Sequence, residues 1–440
     1  MKNATASESN TPAAKFERRK AMIVRAAVKV INQKGVRGMT FAEIAASLKL
    51  VPTAMNYYFK RKEDLAAACM LQAIAYYNAL LDRSDRQPTP ELGLRCFLQD
   101  FADHLAAADL GKVDAVVNFN DVRAIGDAVV DAAYTNMFRR LRRSFSSVPL
   151  NEPTRPGQNA RTHLLISQVL WAELWLRQYE PVDYARMAQR LFDVLVHGLA
   201  RPGQSWAPID VAAPAANGEV SETSGVSREA FLQAATAEIN EHGYLGASVS
   251  RISARLNVTK GTFYYYNQAK DDLVQQCFDR TFEKMRTSLS ASEAATTSGF
   301  DTLASLAGSM TRRDVSGEAP LLRTTAISAV PEELQPTLFH RFAQLSARLA
   351  SVVSDGIADG SIRPVDANVA AQAIICLINA SAELRHWAPG LDADLAIEAY
   401  ARPLFMGLFR PDERAPASEA KVAAKAATGR RTRRPAQRTS

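Results

Sequence analysis

The sequence predicts an all-α protein built as two tandem copies of one plan, each a helix-turn-helix head followed by a helical core. Three observations predict this. Apolar residues recur at helical spacing, and no segment alternates apolar and polar residues as a half-buried strand does. Shifted by 208 positions, residues 25–65 align without a gap on 233–273, and 14 of the 41 pairs are identical, Asn32/Asn240, Gly35/Gly243 and Tyr57/Tyr265 among them. The far ends repeat as well: Ala172-Glu173-Leu174 recurs as Ala382-Glu383-Leu384, and the GLARP run from Gly198 as GLFRP from Gly407. A repeat of this length is a duplicated domain, not a solenoid.

The chain divides in order. Residues 1–14 read as a disordered N-terminus and 15–62 as the first helix-turn-helix head. Residues 63–202 read as the first helical core. The stretch 203–226, rich in Ala, Pro, Gly and Ser without apolar periodicity, reads as a flexible linker. The second head spans 227–270, the second core 271–412, and 413–440 is a basic, low-complexity tail. In the opening helix, 18–34, Met22, Ala26, Val30 and Ile31 share a face and Gly35 ends it. In 64–81 the shared face is Leu65, Ala68, Cys69, Gln72, Ala73 and Tyr76. Residues 164–178 are strongly apolar, with Leu165, Val169, Trp171 and Trp175.

Composition excludes several classes. With 440 residues and 47% hydrophobic content, two or three domains with ample cores are expected. The cysteines at 69, 96, 277 and 376 lie too far apart for a CxxC site or a disulfide framework. The histidines form no HxxxH or HExxH pair, so no local zinc site is predicted. No apolar run approaches a membrane span, and the first residues lack a signal-peptide core, so a cytoplasmic protein without a membrane partner is expected. No nucleophile elbow, phosphate loop or carboxylate pair appears, so no enzyme, catalytic residue, cofactor or metal is predicted.

Charge points to a polyanion. The formal net charge of +7 is unevenly spread: Lys15–Lys62 carries +10, 413–440 carries +6, and the rest −9. A basic head and tail around an acidic body suit nucleic acid at the ends. A solvated surface and a solubility tail are the plain alternatives, and for the cluster Arg430–Arg434 they stand level with a DNA-contacting arm.

Each head has the punctuation of a helix-turn-helix. Thr40 precedes FAEIAASL with Glu43 three residues on, a capping box; Ser248 takes the cap position in copy two, where Arg251 replaces the acid. Phe41, Ile44, Ala45 and Leu48 form the buried face. Pro52 stands at the first position of a third helix, which can lie in a major groove. Asn56 on that helix has the chemistry for a bidentate contact with adenine; a plain surface residue is the alternative.

These motifs resemble the TetR family of bacterial transcriptional regulators. The family pattern is roughly Thr-x-x-x-Ile-Ala, a turn, Val-Ser-x-Gly-x-Leu-Tyr-x-Tyr-Phe, then Lys-x-Glu-Leu. Copy one offers Thr40, Ile44-Ala45, LVPTAMNYYF ending at Phe59, and Lys62 to Leu65. Copy two offers Ser248, Ile252, VTKGTFYYY ending at Tyr266, and Lys270 to Leu273. The copies depart from the pattern: Lys49 stands where Gly is usual, Val51 where Ser is usual, and Asn267 where a core Phe is usual. The resemblance implies that Thr53, Ala54, Thr259, Lys260, Gly261 and Thr262 face the groove. It implies that Tyr57, Tyr58, Tyr264 and Tyr265 reach phosphates or bases, with one tyrosine per copy packed inside. Lys62, Lys270 and the hydroxyls of Thr40 and Ser248 would hold phosphates. Because 227–273 carries no net charge, copy one is expected to supply most of the phosphate-driven affinity.

The resemblance also implies ligand-binding and dimerisation cores. Tyr76, Phe97, Phe101, Phe119, Trp171 and Trp175 are pocket candidates for an unidentified, hydrophobic small-molecule effector; simple core packing is the competing reading at helical spacing. Helices 164–178 and 369–387 are the expected contact between copies, an intramolecular pseudo-dimer on a double-stranded, asymmetric DNA operator, with further pairing of two chains left open. A ligand-responsive repressor is the leading reading. A constitutive or architectural DNA binder working through its basic ends is the alternative.

Overall fold

A computed structural model describes residues 11–119, 122, 125–145, 154–211, 227–243, 246–259, 261, 270–317, 320–323, 330 and 333–409. Among them the chain is helical without a strand, apart from an isolated bridge between Ala200 and Ile362. The all-α, two-unit plan holds.

Head one starts with α1 (Pro12–Gly38). Thr11 Oγ1 accepts from the Ala14 N–H at 3.2 Å, and Pro12 needs no partner at the helix start. The helix therefore begins inside the stretch predicted to be disordered. Gly35 breaks it with φ 71°, a left-handed position that favours glycine. Its buried stripe is Ile23, Ala27, Val30 and Ile31; Met22 is exposed, so the stripe is rotated by one residue from the predicted one. α2 (Phe41–Ser47) buries Ile44 and Ala45. A 3-10 turn, Pro52–Ala54, leads into α3 (Met55–Tyr58).

Core one comprises α4 (Lys62–Ser84), α5 (Pro90–Asp109), α6 (Ala128–Phe145), α7 (Arg155–Leu176) and α8 (Tyr184–His197). α4 joins head to core, packing on α1 at one end and on α5 and α6 beyond. Leu65, Cys69 and Ala73 are buried as expected, but so are Met70, Ile74, Tyr77, Leu80 and Leu81. Packed on several sides, α4 is long and apolar enough to pass for a membrane span by composition, which the sequence reading did not anticipate. Each such buried large side chain stabilises the fold by roughly 1.5–3 kcal/mol.

The second half repeats the order: α9 (Arg228–His242) and α10 (Val249–Arg255) in the head, then α11 (Lys270–Ala295), α12 (Gly299–Ser316), α13 (Gln335–Ala358), α14 (Ala367–Ser381) and α15 (Leu384–Trp387). α16 (Ala393–Ala396) runs through a π turn, Ile397–Ala401, into α17 (Arg402–Met406).

The linker region departs from expectation at its start. Residues 203–211 strap across α12: the Ile209 and Val211 N–H groups donate to Ser305 Oγ and Ser309 Oγ, each at 2.9 Å. The geometry matches because four helical residues rise ~6 Å, close to the ~6.6 Å of two extended residues. Trp206 adds a ring contact with Phe405 at 5.3 Å and an indole bond to Glu398 at 3.0 Å. Residues 212–226 lie outside the described residues.

The halves meet where the late apolar helices were expected to. Gln168 Nε2 donates to Ala373 O at 2.9 Å, and Trp171 Nε1 to Gln372 Oε1 at 3.1 Å. The repeated glycines Gly198 and Gly407 face each other, with φ of 72° and 102°. A Cβ on Gly198 would lie 2.4 Å from Phe405 O, and one on Gly407 2.5 Å from Val196 O. That closeness lets Leu199 N–H reach Phe405 O at 2.7 Å and Leu408 N–H reach Leu195 O at 2.8 Å.

Candidate nucleic-acid interface

Head one presents the predicted third helix with a dry side and a wet side. Met55 is 0% and Phe59 6% exposed, which pins α3 and the turn after it to the head's core. Thr53 and Asn56 are exposed, Ala54 is half-buried, and Tyr57 stands 74% exposed. Tyr58 is half-buried and stacks on Phe16 of α1 at 5.0 Å, while Tyr57 meets the same ring edge-on at 5.5 Å. In head one Tyr58 thus packs on α1 while Tyr57 projects. Phe16, the brace for both, was missed; it belongs to the α1 turn that precedes the recognisable motif.

The turn between α2 and α3 carries a strained residue. Lys49 adopts φ 56°, and Asn257 adopts φ 54° at the matching place in head two. A left-handed conformation costs a residue with a Cβ roughly 1–2 kcal/mol, less for Asn.

Caps and ion pairs refine other expectations. Thr40 Oγ1 accepts from Glu43 N–H at 3.2 Å, and Ser248 Oγ from Arg251 N–H at 3.3 Å. Both hydroxyls are thus helix caps, with the O–H still able to donate. The Glu43 carboxylate pairs with Lys34 at 2.7 Å, so it braces α1 against α2 in place of closing the capping box. Lys62 Nζ donates to Arg37 O at 3.2 Å, joining the start of α4 to the end of α1.

The described part of head two, α9 and α10, is held by other chemistry. Glu238, only 6% exposed, takes Arg255 Nη1 at 3.2 Å, and Arg255 also forks onto Glu241 at 3.2 Å. His242 Nδ1 lies 3.4 Å from the other Glu238 oxygen. Thr259 and Gly261 are exposed at the start of the third-helix segment. Lys260, Thr262, Phe263, Tyr264, Tyr265 and Asn267 lie outside the described residues, as do the side chain of Lys270 and the tail with Arg430–Arg434. The two heads touch: a Cβ on Gly246 would lie 2.7 Å from Arg37 Cζ.

A role appears for one identical pair of the repeat. Asn32 Nδ2 donates to Val116 O at 2.9 Å, and Asn32 Oδ1 accepts from Asn118 N–H at 2.9 Å. Asn240 does the same: Nδ2 to Leu321 O at 2.8 Å, and Oδ1 from Arg323 N–H at 3.1 Å. Each head therefore grips a loop of its own core with one side-chain amide. The signal was the identity itself, which carried no role until the loop was seen.

Residues 23–69 and 231–277 match the family model described as bacterial regulatory proteins, tetR family. By these matches each half of the chain opens with a TetR-type DNA-binding head. Over part of its length it is similar to several solved structures. One is apo AibR, at 19% identity and TM-score 0.34, covering 41% of this chain and 98% of that one. Another is the TetR family transcriptional regulator PfmR from Thermus thermophilus, at 19% and 0.33, covering 41% and 99%. A third is a transcriptional regulator of the TetR/AcrR family from Thermobifida fusca, at 23% and 0.30, covering 40% and 93%. A comparison with curated proteins found no match.

The six pocket candidates do not form one group. Phe97, Phe101 and Phe119 gather around Tyr77, at 6.4, 6.3 and 5.3 Å. Tyr76 lies beside the cluster with its ring tilted against His104 at 4.4 Å, its buried hydroxyl lacking a hydrogen-bond partner. Trp171 faces the other half, against Gln372 and Phe342. Trp175 packs on Tyr179 at 6.1 Å. Adjacent helical residues differ by ~100° in direction, so Tyr77 points into the cluster and Tyr76 beside it.

Proposed function

We propose that this chain is a small-molecule-responsive, sequence-specific repressor that works as an intramolecular pseudo-dimer on an asymmetric operator in the cytoplasm. The observation that carries this reading is the seam between halves, where Gly198 and Gly407 from matching runs face each other across α7, α8, α14 and α17. Two family heads on one chain would then address two half-sites about one helical turn, ~34–36 Å, apart. Tethering replaces bimolecular pairing with a fixed effective concentration, so operator binding would not depend on protein level. Unequal heads read unequal half-sites.

In this reading Thr53, Ala54, Asn56 and Tyr57 of head one meet bases and phosphates, with Thr259, Lys260, Gly261, Thr262, Tyr264 and Tyr265 as their counterparts in head two. Lys62, Lys270, Thr40 and Ser248 hold phosphates. In this reading a hydrophobic effector would bind where Tyr77, Phe101 and Phe119 now pack on one another, rings that favour apolar or planar groups. It weakens DNA binding only by preferring the arrangement that does not fit the operator.

The test is binding of the purified chain to labelled DNA tiled across its own upstream region, with excess competitor and a salt series. One fragment that survives competitor supports the reading. Equal binding to every fragment, with steep salt loss, overturns it in favour of an architectural role for the basic ends.

A further inference from the structure

Each head is tied to its core by the asparagine clamp described above, but the two clamped loops lead to different places. In half one, Phe119 follows directly on Asn118 and lies 5.0 Å from Tyr134. Tyr134 and Phe138 of α6 then meet Trp387 of half two, at 5.6 Å and, stacked with 19° between planes, 4.3 Å. Trp387 Nε1 donates to Glu383 Oε2 at 3.2 Å. The other Glu383 oxygen takes the Arg323 guanidinium, which also donates to Asn240 O in head two. Trp387 therefore touches both routes: through Tyr134 and Phe119 toward Asn32 of head one, and through Glu383 and Arg323 to Asn240 of head two.

The arrangement is one-sided, and that separates it from packing repeated by duplication. Glu173 matches Glu383, yet it pairs with Arg177 on its own helix at 3.5 Å, and Arg177 turns to Asp109 at 3.3 Å. Arg177 stands where half two has Trp387, and Asn118 where half two has Arg323. Duplicated positions have diverged so that an arginine in the half-two loop and a tryptophan at the seam join head two to half one.

We propose that Trp387, Glu383 and Arg323 form a brace across the seam, making them positioning residues that fix head two relative to half one. The two buttresses are chemically unlike: ring stacking on the half-one side, and on the other an arginine–carboxylate pair whose hydrogen bonds are charge-assisted and partly shielded from water. A shift of the Tyr77–Phe119 cluster would reach head one through the loop that holds Asn118, and head two through Trp387. This inference stands on contacts between the halves and needs no effector.

Hydrogen exchange on the full-length protein tests it, with the helices of the two heads read separately. Arg323→Gln is expected to speed exchange in 228–242 roughly tenfold while leaving 12–38 unchanged. Trp387→Ala is expected to speed exchange in both. Trp387→Phe keeps the stacking and loses the indole bond, so it should loosen 228–242 alone. At 228–242 the pair Arg323→Gln/Trp387→Ala should cost less than the sum of the single changes, because both break one connection. The proposal is overturned if 228–242 is unmoved in Arg323→Gln or Trp387→Phe, if the two changes add fully, or if 90–109 accelerates as much as the heads. Should Trp387→Ala not fold, Trp387→Phe and Arg323→Gln decide the matter alone.

Discussion

Where head one has Val30 and Ser47, head two has Glu238 and Arg255. The first pair of positions is neutral; the second is an ion pair half-sealed inside the head, with Arg255 reaching Glu241 as well. Among the described residues the first two helices of each head match, so that pair does not require either chemistry. The difference appears outside. Arg255 is neutralised within head two, Arg251 donates to Gly246 O, and Arg228 to Gln276, whereas head one's stretch from Lys15 to Lys62 carries a net +10. A cation paired with a carboxylate of its own head is less available to neutralise phosphates. The two heads thus share one plan, and the second offsets its cations with an equal number of acids.

Several changes would break or sharpen that contrast. The largest effect is expected at the seam, where the halves are still alike. Gly198→Val and Gly407→Val each force a Cβ into backbone at a left-handed position, and each should cost more than ~3 kcal/mol. Urea unfolding should show similar losses for both; a large loss for one alone would mean the seam is as unequal as the heads.

The next effect concerns DNA. Tyr57→Ala should weaken operator binding by about tenfold or more, and Tyr265→Ala by less than about threefold, where tenfold corresponds to ~1.4 kcal/mol. Titration of one labelled fragment with each variant checks this. Equal losses would remove the functional asymmetry.

A pH effect separates the cores. Asp314 is buried against Ser381, and burial pushes its carboxyl up to about 7. Its unfolded value is ~3.9, so between these two pH values the folded chain binds the extra proton. The stability this group contributes is complete below ~4 and is lost as pH rises to about 7. Asp314→Asn should therefore raise stability at pH ~8 by roughly 1–2 kcal/mol and flatten this part of the profile. Denaturant midpoints across pH for both proteins check it. In half one, Asp109 of α5 is paired with Arg177 and Tyr184, so Asp109→Asn should lose those contacts and stability with them.

The smallest expected effect lies in the turns. Lys49→Gly should stabilise head one by about 1 kcal/mol, and Asn257→Gly head two by less, since Asn tolerates the left-handed region. Thermal unfolding of each variant reads the difference.

Much of the heads was legible in advance because local chemistry dictates it. Gly35 ends a helix, Thr40 caps one and Pro52 starts one, whatever surrounds them. What failed was long-range. The core stripe of α1 shifted from Met22 to Ile23 because α4 approaches from that side. Glu43 bonds Lys34 of the neighbouring helix rather than its own cap. Residues 203–211 read as linker because their partners, Ser305 and Ser309, lie about a hundred positions away. Trp171 stood both among the pocket candidates and in the expected contact between copies, and its bond to Gln372 assigns it to the contact. The clamp of Asn32 and Asn240 was visible as an identity and opaque as a function.

The most direct test of two unequal readers on one chain is quantitative footprinting of the full-length protein on its operator across a salt series. The account predicts one chain per site and two half-sites of different sequence, with one half-site losing protection at lower salt and the more persistent one failing when Tyr57 is removed. Two identical half-sites that release together, or occupation by two chains each using the same head, would contradict it.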